Sequence, residues 1–199
     1  EDIHNNTGVF QVSVRRQNDC MVSGGYILVG DSAWMPKPID AGGIGPALIA
    51  GTILGKNVVD AIEANDVTEK GLWQYNLDFI EEYGYKTAGL ELFRRLVQTL
   101  TNEQISYGMK HFLGNVDVEA ISKGEHPDFS GLSKLGMIIR GAMNKTVANG
   151  LKYTSQQNQW LVEHYRNYPK EPEGFEEWEK SLHKTLDESF AKIATFSKN

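Results

Sequence analysis

The sequence predicts a mainly α protein with a small β portion near its start. After residue 44, apolar side chains recur at three- and four-residue steps over most of the chain, the mark of helices with one buried face. Before it, only two short segments carry the apolar run or alternation of a strand. Between the two regimes stands Gly30 to Gly45, GDSAWMPKPIDAGGIG, which sets an acid, two prolines and a glycine cluster at one junction. The expected organisation is residues 1–65 with strands, junction and a first helix, then residues 66–199 as a helical domain.

Val9 to Val14 (VFQVSV) reads as a strand that Arg15 and Arg16 leave. Tyr26 to Val29 (YILV), after Gly24 and Gly25, is a continuous apolar run of the kind buried on both faces of a parallel sheet. Ile44, Leu48, Gly51, Gly55, Val58 and Ile62 then form one face of a long helix. Ala47, Gly51 and Gly55 add a small-residue line that would let this helix lie close to the sheet. Thr68 to Glu82 holds Leu72, Tyr75, Phe79 and Glu82 in helical phase, with Gly84 as an interruption and LELFRRLVQTL as the next helix. Thr101 and Gln104 have the form of a capping box that starts a helix reaching Phe112, with Gly114 as its stop. Gly124 to Ser130 reads as a loop, and Ser133 to Asn149 and Thr154 to Tyr168 read as helices. YPKEPEG breaks the pattern before a last helix from Phe175 to about Ile193.

Composition excludes several classes. A chain of 199 residues can bury a core without disulfides or metal. With 20 Lys and Arg against 26 Asp and Glu, no field favours nucleic acid. Cys20 is the only cysteine, which rules out an internal disulfide and a four-thiolate iron-sulfur cluster. The most apolar window, Ile44 to Gly55, is far shorter than the roughly 20 residues of a membrane span. The chain opens on Glu1 without a signal-peptide pattern, so the expectation is a piece of a longer cytoplasmic protein, with contact at a membrane surface left open.

The junction carries the chemistry. Ligands gather where strand ends and helix starts converge. There Asp31 offers two acceptor oxygens suited to the hydroxyls of a polyol or ribose-like chain, and its charge disfavours phosphate. Gly42, Gly43 and Gly45 let the backbone approach a flat ligand and take positive φ where needed. Pro46 suits a first helical turn. The free amides of that turn attract an electron-rich oxygen. On spacing alone two readings stand: this ligand site, or a plain glycine-rich turn capped by Asp31.

GYILVGDSAWMPKPIDAGGIGPALIAG resembles the second flavin-binding motif of flavoproteins of the p-hydroxybenzoate hydroxylase class, and within it the geranylgeranyl reductase and FixC-type dehydrogenase branch; the preceding VSVRRQNDCMVSG is similar to that family's approach to the motif. The resemblance is specific for about residues 9–65. It implies the C-terminal part of an α/β FAD-binding fold, in which Asp31 holds ribityl hydroxyls of FAD and Pro38 lies against the ring. Gly42, Gly43 and Ile44 would present backbone to the ribityl chain and pyrimidine edge. Ala41 stands where the family commonly has glycine, and Asp40 is expected to face solvent or Lys37. No G-x-G-x-x-G fingerprint for the adenosine diphosphate half occurs, so the chain by itself is expected to bind FAD poorly.

The resemblance thus implies an FAD-dependent oxidoreductase that reduces isoprenoid double bonds of lipids. A FixC-type electron-transfer-flavoprotein dehydrogenase is the second reading, and a non-catalytic helical interaction module at residues 66–199 the third. Isoprenoid lipid or an electron-transfer protein is the partner expected. No catalytic residue is assigned. Trp34 has two readings, pocket wall or packing. Lys37 reads as a solvated loop cation before any flavin role, and Cys20 as a buried, inert thiol. The five histidines lack metal-ligand spacing, so no metal is expected.

Overall fold

The computed structural model of the chain describes residues 11–111, 119 and 144–196. Two strands, β1 (Val22–Ser23) and β2 (Tyr26–Ile27), pair antiparallel with Val22 opposite Ile27. A 3-10 turn at Gly30–Ala33 leads through the junction loop into α1 (Ile44–Glu63). Two short helices follow, α2 (Glu69–Leu72) and α3 (Gln74–Phe79), then a π-helical turn at Ile80–Gly84 and α4 (Tyr85–Thr99). The remaining described helices are α5 (Asn102–His111), α6 (Lys145–Arg166) and α7 (Phe175–Ala194).

Several expectations need correction. Val9 and Phe10 lie outside the described residues, and 11–14 form no strand, leaving Val12 and Val14 exposed. The YILV run is not a parallel strand buried on both faces. Gly25, at φ +82°, closes a tight hairpin, so only Tyr26 and Ile27 pair, and Tyr26 faces out. Gly84 does not interrupt its helix, since the π turn carries the chain into α4 without a break. Gly150 to Tyr153 stay helical, which merges two expected helices into α6 from residue 145 onward. The stop at Gly114, the loop at Gly124 to Ser130 and residues 133–143 lie outside the described residues.

Other elements follow the residues as read. Thr101 accepts from the Gln104 amide at 3.3 Å while the Gln104 side chain accepts from the Thr101 amide at 2.9 Å, so the capping box starts α5. The last helix ends at Ala194, one residue past Ile193.

The helical body packs α4 against α6 and α7. Leu90, Leu92, Leu96, Leu161 and Leu182 are fully enclosed there. Gly150 allows the close approach of α6: a Cβ on it would come within 2.5 Å of the Leu96 side chain. One end of the body is an aromatic stack. His164 lies between Trp160 and Trp178 at centroid distances of 4.6 and 4.7 Å, and Trp73 stacks on Tyr168. The Trp73 indole donates to the Pro169 carbonyl at 2.8 Å and that of Trp178 to the His164 carbonyl at 2.9 Å, so both polar edges are satisfied. Burial pushes the His164 imidazole below its ordinary range.

The segment before the hairpin is pinned into this body by buried charges. Arg16 donates to Asp19 at 2.8 Å and to Glu91 at 3.3 Å, Arg95 reaches Glu91 at 3.2 Å, and His183 meets Asp19 at 2.7 Å. The Tyr168 hydroxyl donates to the Asp19 carbonyl at 2.8 Å. From this anchor Asn18 donates to the Ala33 carbonyl at 3.0 Å, which ties the junction loop to the body.

Helix α1 turns its faces the other way from the sequence expectation. Pro46, Ala50, Asn57 and Ala61 are buried, and α1 packs on α3, α2 and the 3-10 turn. The Asn57 amide donates to Asp78 of α3 at 2.9 Å. The apolar face read from the sequence points outward, with Ile44 81% exposed, Leu48 68% and Ile62 63%. Gly51 and Gly55 are also exposed with open space at their Cβ positions, so no sheet lies against that line among the described residues.

Candidate functional site

The junction loop is built by residues in an unusual conformation. Gly30 takes φ +66°, and Trp34 and Ala41, both with a Cβ, take +55° and +57°. Left-handed backbone costs a non-glycine residue about 1–2 kcal/mol, so two such residues in one loop must be held by their surroundings. The Trp34 amide donates to the Asp31 carbonyl at 3.1 Å, and the Arg15 guanidinium lies 4.0 Å from the Trp34 ring centroid. The Ala41 amide donates to the Lys37 carbonyl at 2.9 Å. The left-handed φ at Ala41 gives the physical reason why glycine suits this place.

Lys37 and Asp40 pair at 2.9 Å, and Asp40 also accepts from the Gly42 amide at 2.9 Å. The Asp40 carboxylate thus meets the expectation that it faces Lys37 and solvent. Gly43 caps α1 with φ −103°, and no side chain caps this end, so the first-turn amides point outward from it. None of Gly42, Gly43 and Gly45 takes positive φ; their use is the missing side chain. A Cβ on Gly42 would meet the Lys37 side chain at 2.9 Å, and one on Gly43 would lie 3.2 Å from Pro36 and 3.4 Å from an Asp31 carboxylate oxygen.

A hollow of about 480 Å³ opens over this helix start, lined by Lys37, residues 41–46, Ile49 and Tyr83. That is about three times the ~150 Å³ that admits one benzene ring, so it has room for a fused ring system. Of the residues singled out from sequence, Gly42, Gly43 and Ile44 line it. Asp31 is exposed and stands at its rim beside Gly43, next to a helix start although not directly after a parallel strand. Pro38 is buried and is not part of the lining.

Sequence reasoning missed Tyr83. Straight helical phase from Phe79 points Glu82 inward, yet the π turn leaves Glu82 exposed and buries Tyr83. Burial, and next the Asp40 charge, push its phenol above its ordinary range.

A second cavity, about 270 Å³ and walled almost wholly by carbon, borders the same loop at Ile39. Its other walls are Phe93, Leu96 and Leu100 of the α4 end, Ile105 and Met109 of α5, and Leu151 of α6. No linear signal marks it, because its walls come from four separate stretches.

Two further features lie outside the loop. The Cys20 thiol donates to the Val22 carbonyl at 3.3 Å, and burial pushes its pKa up, which suits an inert packing role. The fold gathers Asp19, Glu179 and His183 with possible ligand atoms within 4.8 Å, which linear spacing did not show. Asp19 there is already engaged by Arg16 and His183, so the cluster reads as an ion-pair knot. No helix among the described residues is long and apolar enough to cross a membrane.

Comparison with curated proteins shows that the chain is a homologue of reductases. Specifically, its relatives carry the name digeranylgeranylglycerophospholipid reductase, in agreement with the geranylgeranyl reductase resemblance. That of Sulfolobus acidocaldarius is 34% identical over 179 residues, 89% of this chain and 39% of the relative. That of Methanocella arvoryzae is 30% identical over 100 residues, 50% of this chain and 25% of the relative. A third, from Methanothrix thermoacetophila, is 39% identical over 67 residues, 34% of this chain and 17% of the relative. The chain therefore spans about two fifths of the length of the Sulfolobus relative and less of the others. No protein-family model matches the chain.

Proposed function

We propose that this chain forms the ring-binding side of an FAD-dependent reductase that saturates double bonds in isoprenoid chains of lipids. The observation that carries the reading is the meeting of two unlike hollows at one short loop. One is glycine-lined with backbone amides and a carboxylate at its rim; the other is walled by carbon. The names of the homologues support the same reading.

The residues present fit a flavin. Asp31 accepts from ribityl hydroxyls, and Gly42 and Gly43 leave the space that side chains would fill. The start of α1 directs its amides at an electron-rich edge. FAD, when bound and reduced, supplies the hydride that this chemistry needs. Lys37 is neutralised by Asp40, so the helix terminus rather than a lysine charge favours negative charge there. The carbon-walled cavity holds one stretch of a hydrocarbon chain and keeps water from it. An apolar substrate implies contact with a membrane surface, and an electron-transfer protein is the expected source of reducing equivalents.

The test uses the protein expressed from its complete reading frame. A visible flavin absorption band in the purified protein, lost in Asp31→Ala, is the expected result, together with gain of hydrogen by a prenylated glycerolipid under reducing conditions. Absence of flavin from a folded preparation supplied with FAD overturns the proposal.

A further inference from the structure

Two buried carboxylates gather the cations where the segment before the hairpin enters the body. Glu91 meets Arg16 at 3.3 Å, Arg95 at 3.2 Å and Arg94 at 3.9 Å. Asp19 meets Arg16 at 2.8 Å and His183 at 2.7 Å. Both acids are therefore shared among other cations, and neither pairs with Arg15. The Arg15 guanidinium makes no hydrogen bond and no ion pair among the described residues, although the chain carries a net charge of −6. Its Nε is enclosed without an acceptor, and the terminal nitrogens are where this half-buried side chain meets solvent. Burial, and next the Arg16 charge, push the group below its ordinary range, as befits a cation short of counter-charge.

The contact that Arg15 does make is with Trp34, whose ring centroid lies 4.0 Å from the guanidinium carbon. An indole face holds a guanidinium in place without using up its N–H donors. Trp34 is 37% exposed and stands in left-handed backbone, a strained conformation that collects at ligand clamps. It follows directly on the 3-10 turn that carries Asp31, and its amide donates to the Asp31 carbonyl. At about 2 Å of rise per residue, the two backbone positions are about 6 Å apart, the span of a few atoms of a polyol chain. An acceptor for hydroxyls and an unpaired donor fork thus stand side by side.

We infer that Arg15, held on Trp34, is a phosphate-binding residue: its terminal N–H groups donate to the oxygens of a phosphate ester carried by a ligand of the junction. Asp31 repels phosphate, so the two side chains divide one ligand between them, hydroxyls at the acid and phosphate at the cation. Two sources share this chemistry, the diphosphate of FAD and the head-group phosphate of a glycerophospholipid. The first source rests on the flavin reading; the anion site at Arg15 does not.

The experiment compares Arg15→Gln and Arg15→Lys with the unaltered protein, all from the complete reading frame. Inorganic pyrophosphate, FAD and riboflavin are titrated by calorimetry at low salt, thermal unfolding is followed without ligand, and KM is measured for a prenylated glycerophospholipid and for the matching prenyl alcohol. Pyrophosphate affinity is expected to fall about 10-fold in Arg15→Gln, the worth of a hydrogen bond to a charged group, and about 3-fold in Arg15→Lys, which keeps the charge but not the fork. If FAD is the source, its affinity falls alike while that of riboflavin, which has no phosphate, holds. If the lipid is the source, KM rises for the phospholipid alone and FAD affinity holds. Unchanged values for pyrophosphate, FAD and phospholipid overturn the assignment, as does an equal loss for ligands with and without phosphate. A variant that melts markedly lower yet keeps its affinities shows a packing role on Trp34 and also overturns it. Should Arg15→Gln not fold, Arg15→Lys decides: unaltered affinity in that variant overturns the assignment. Failure of the unaltered protein to bind FAD overturns the flavin reading alone, and the pyrophosphate and lipid measurements still decide on Arg15.

Discussion

In the helical body, leucines of α4, α6 and α7 are enclosed and buried charges meet opposite charges. On α1, earlier in the chain, Ile44, Leu48, Val59 and Ile62 stand in the open. The loop between Gly30 and Gly43 belongs with α1: it leads into a helix start that no side chain caps, borders a hollow, and holds two residues in left-handed backbone. The contrast separates two uses of one chain. The body supplies the stability, and the junction side holds groups in arrangements that the body does not need for itself.

The largest test of that contrast falls on the body. Arg16→Met leaves Glu91 and Asp19 buried with one counter-charge fewer, and a loss of about 3–5 kcal/mol in urea unfolding is expected. A loss below about 1 kcal/mol would mean that water reaches the knot and the body is not closed there. Next, Gly150→Val forces a side chain into Leu96 across the α4–α6 contact, with an expected loss of about 1–3 kcal/mol in the same assay.

The junction side should respond with the opposite sign or hardly at all. Ala41→Gly relieves left-handed backbone at a residue that carries a Cβ, so a gain of up to about 1 kcal/mol in thermal unfolding is expected. A loss would show that the methyl group packs usefully enough to outweigh the strain. Smallest of all, Leu48→Gln on the exposed face of α1 should shift the stability of the isolated chain by less than about 0.5 kcal/mol. A larger loss would show that this face is covered in solution.

How much of this the sequence disclosed depended on whether the signal was local. The start of α1 at Ile44, the capping box of Thr101 and Gln104 and the last helix from Phe175 each rest on residues within a turn or two, and the structure keeps them. The mainly helical character with a small β portion was readable for the same reason. The strand expected at Val9 to Val14 is not formed over residues 11–14, because a strand needs a partner that no run of six residues names. YILV looked fully buried because apolar content does not say which side a neighbour covers. The same limit reversed α1, where periodicity found an apolar face but not its direction. At the candidate site, Gly42, Gly43 and Ile44 were visible through their motif and Asp31 through its position. Tyr83 and the carbon-walled cavity came from chain segments that only folding brings together.

The π turn has one more consequence. Its i to i+5 bonding widens a single turn, so the continuous helical run from Gln74 to Thr99 changes phase partway along. Before the change its side chains address α1, and after it they address α6. Removing one residue between Ile80 and Glu82 would restore the ordinary winding and rotate the two halves of the shaft relative to each other. Either α3 or α4 would then lose its neighbour, so the spare residue acts as a fixed offset that lets one rod mesh with two others.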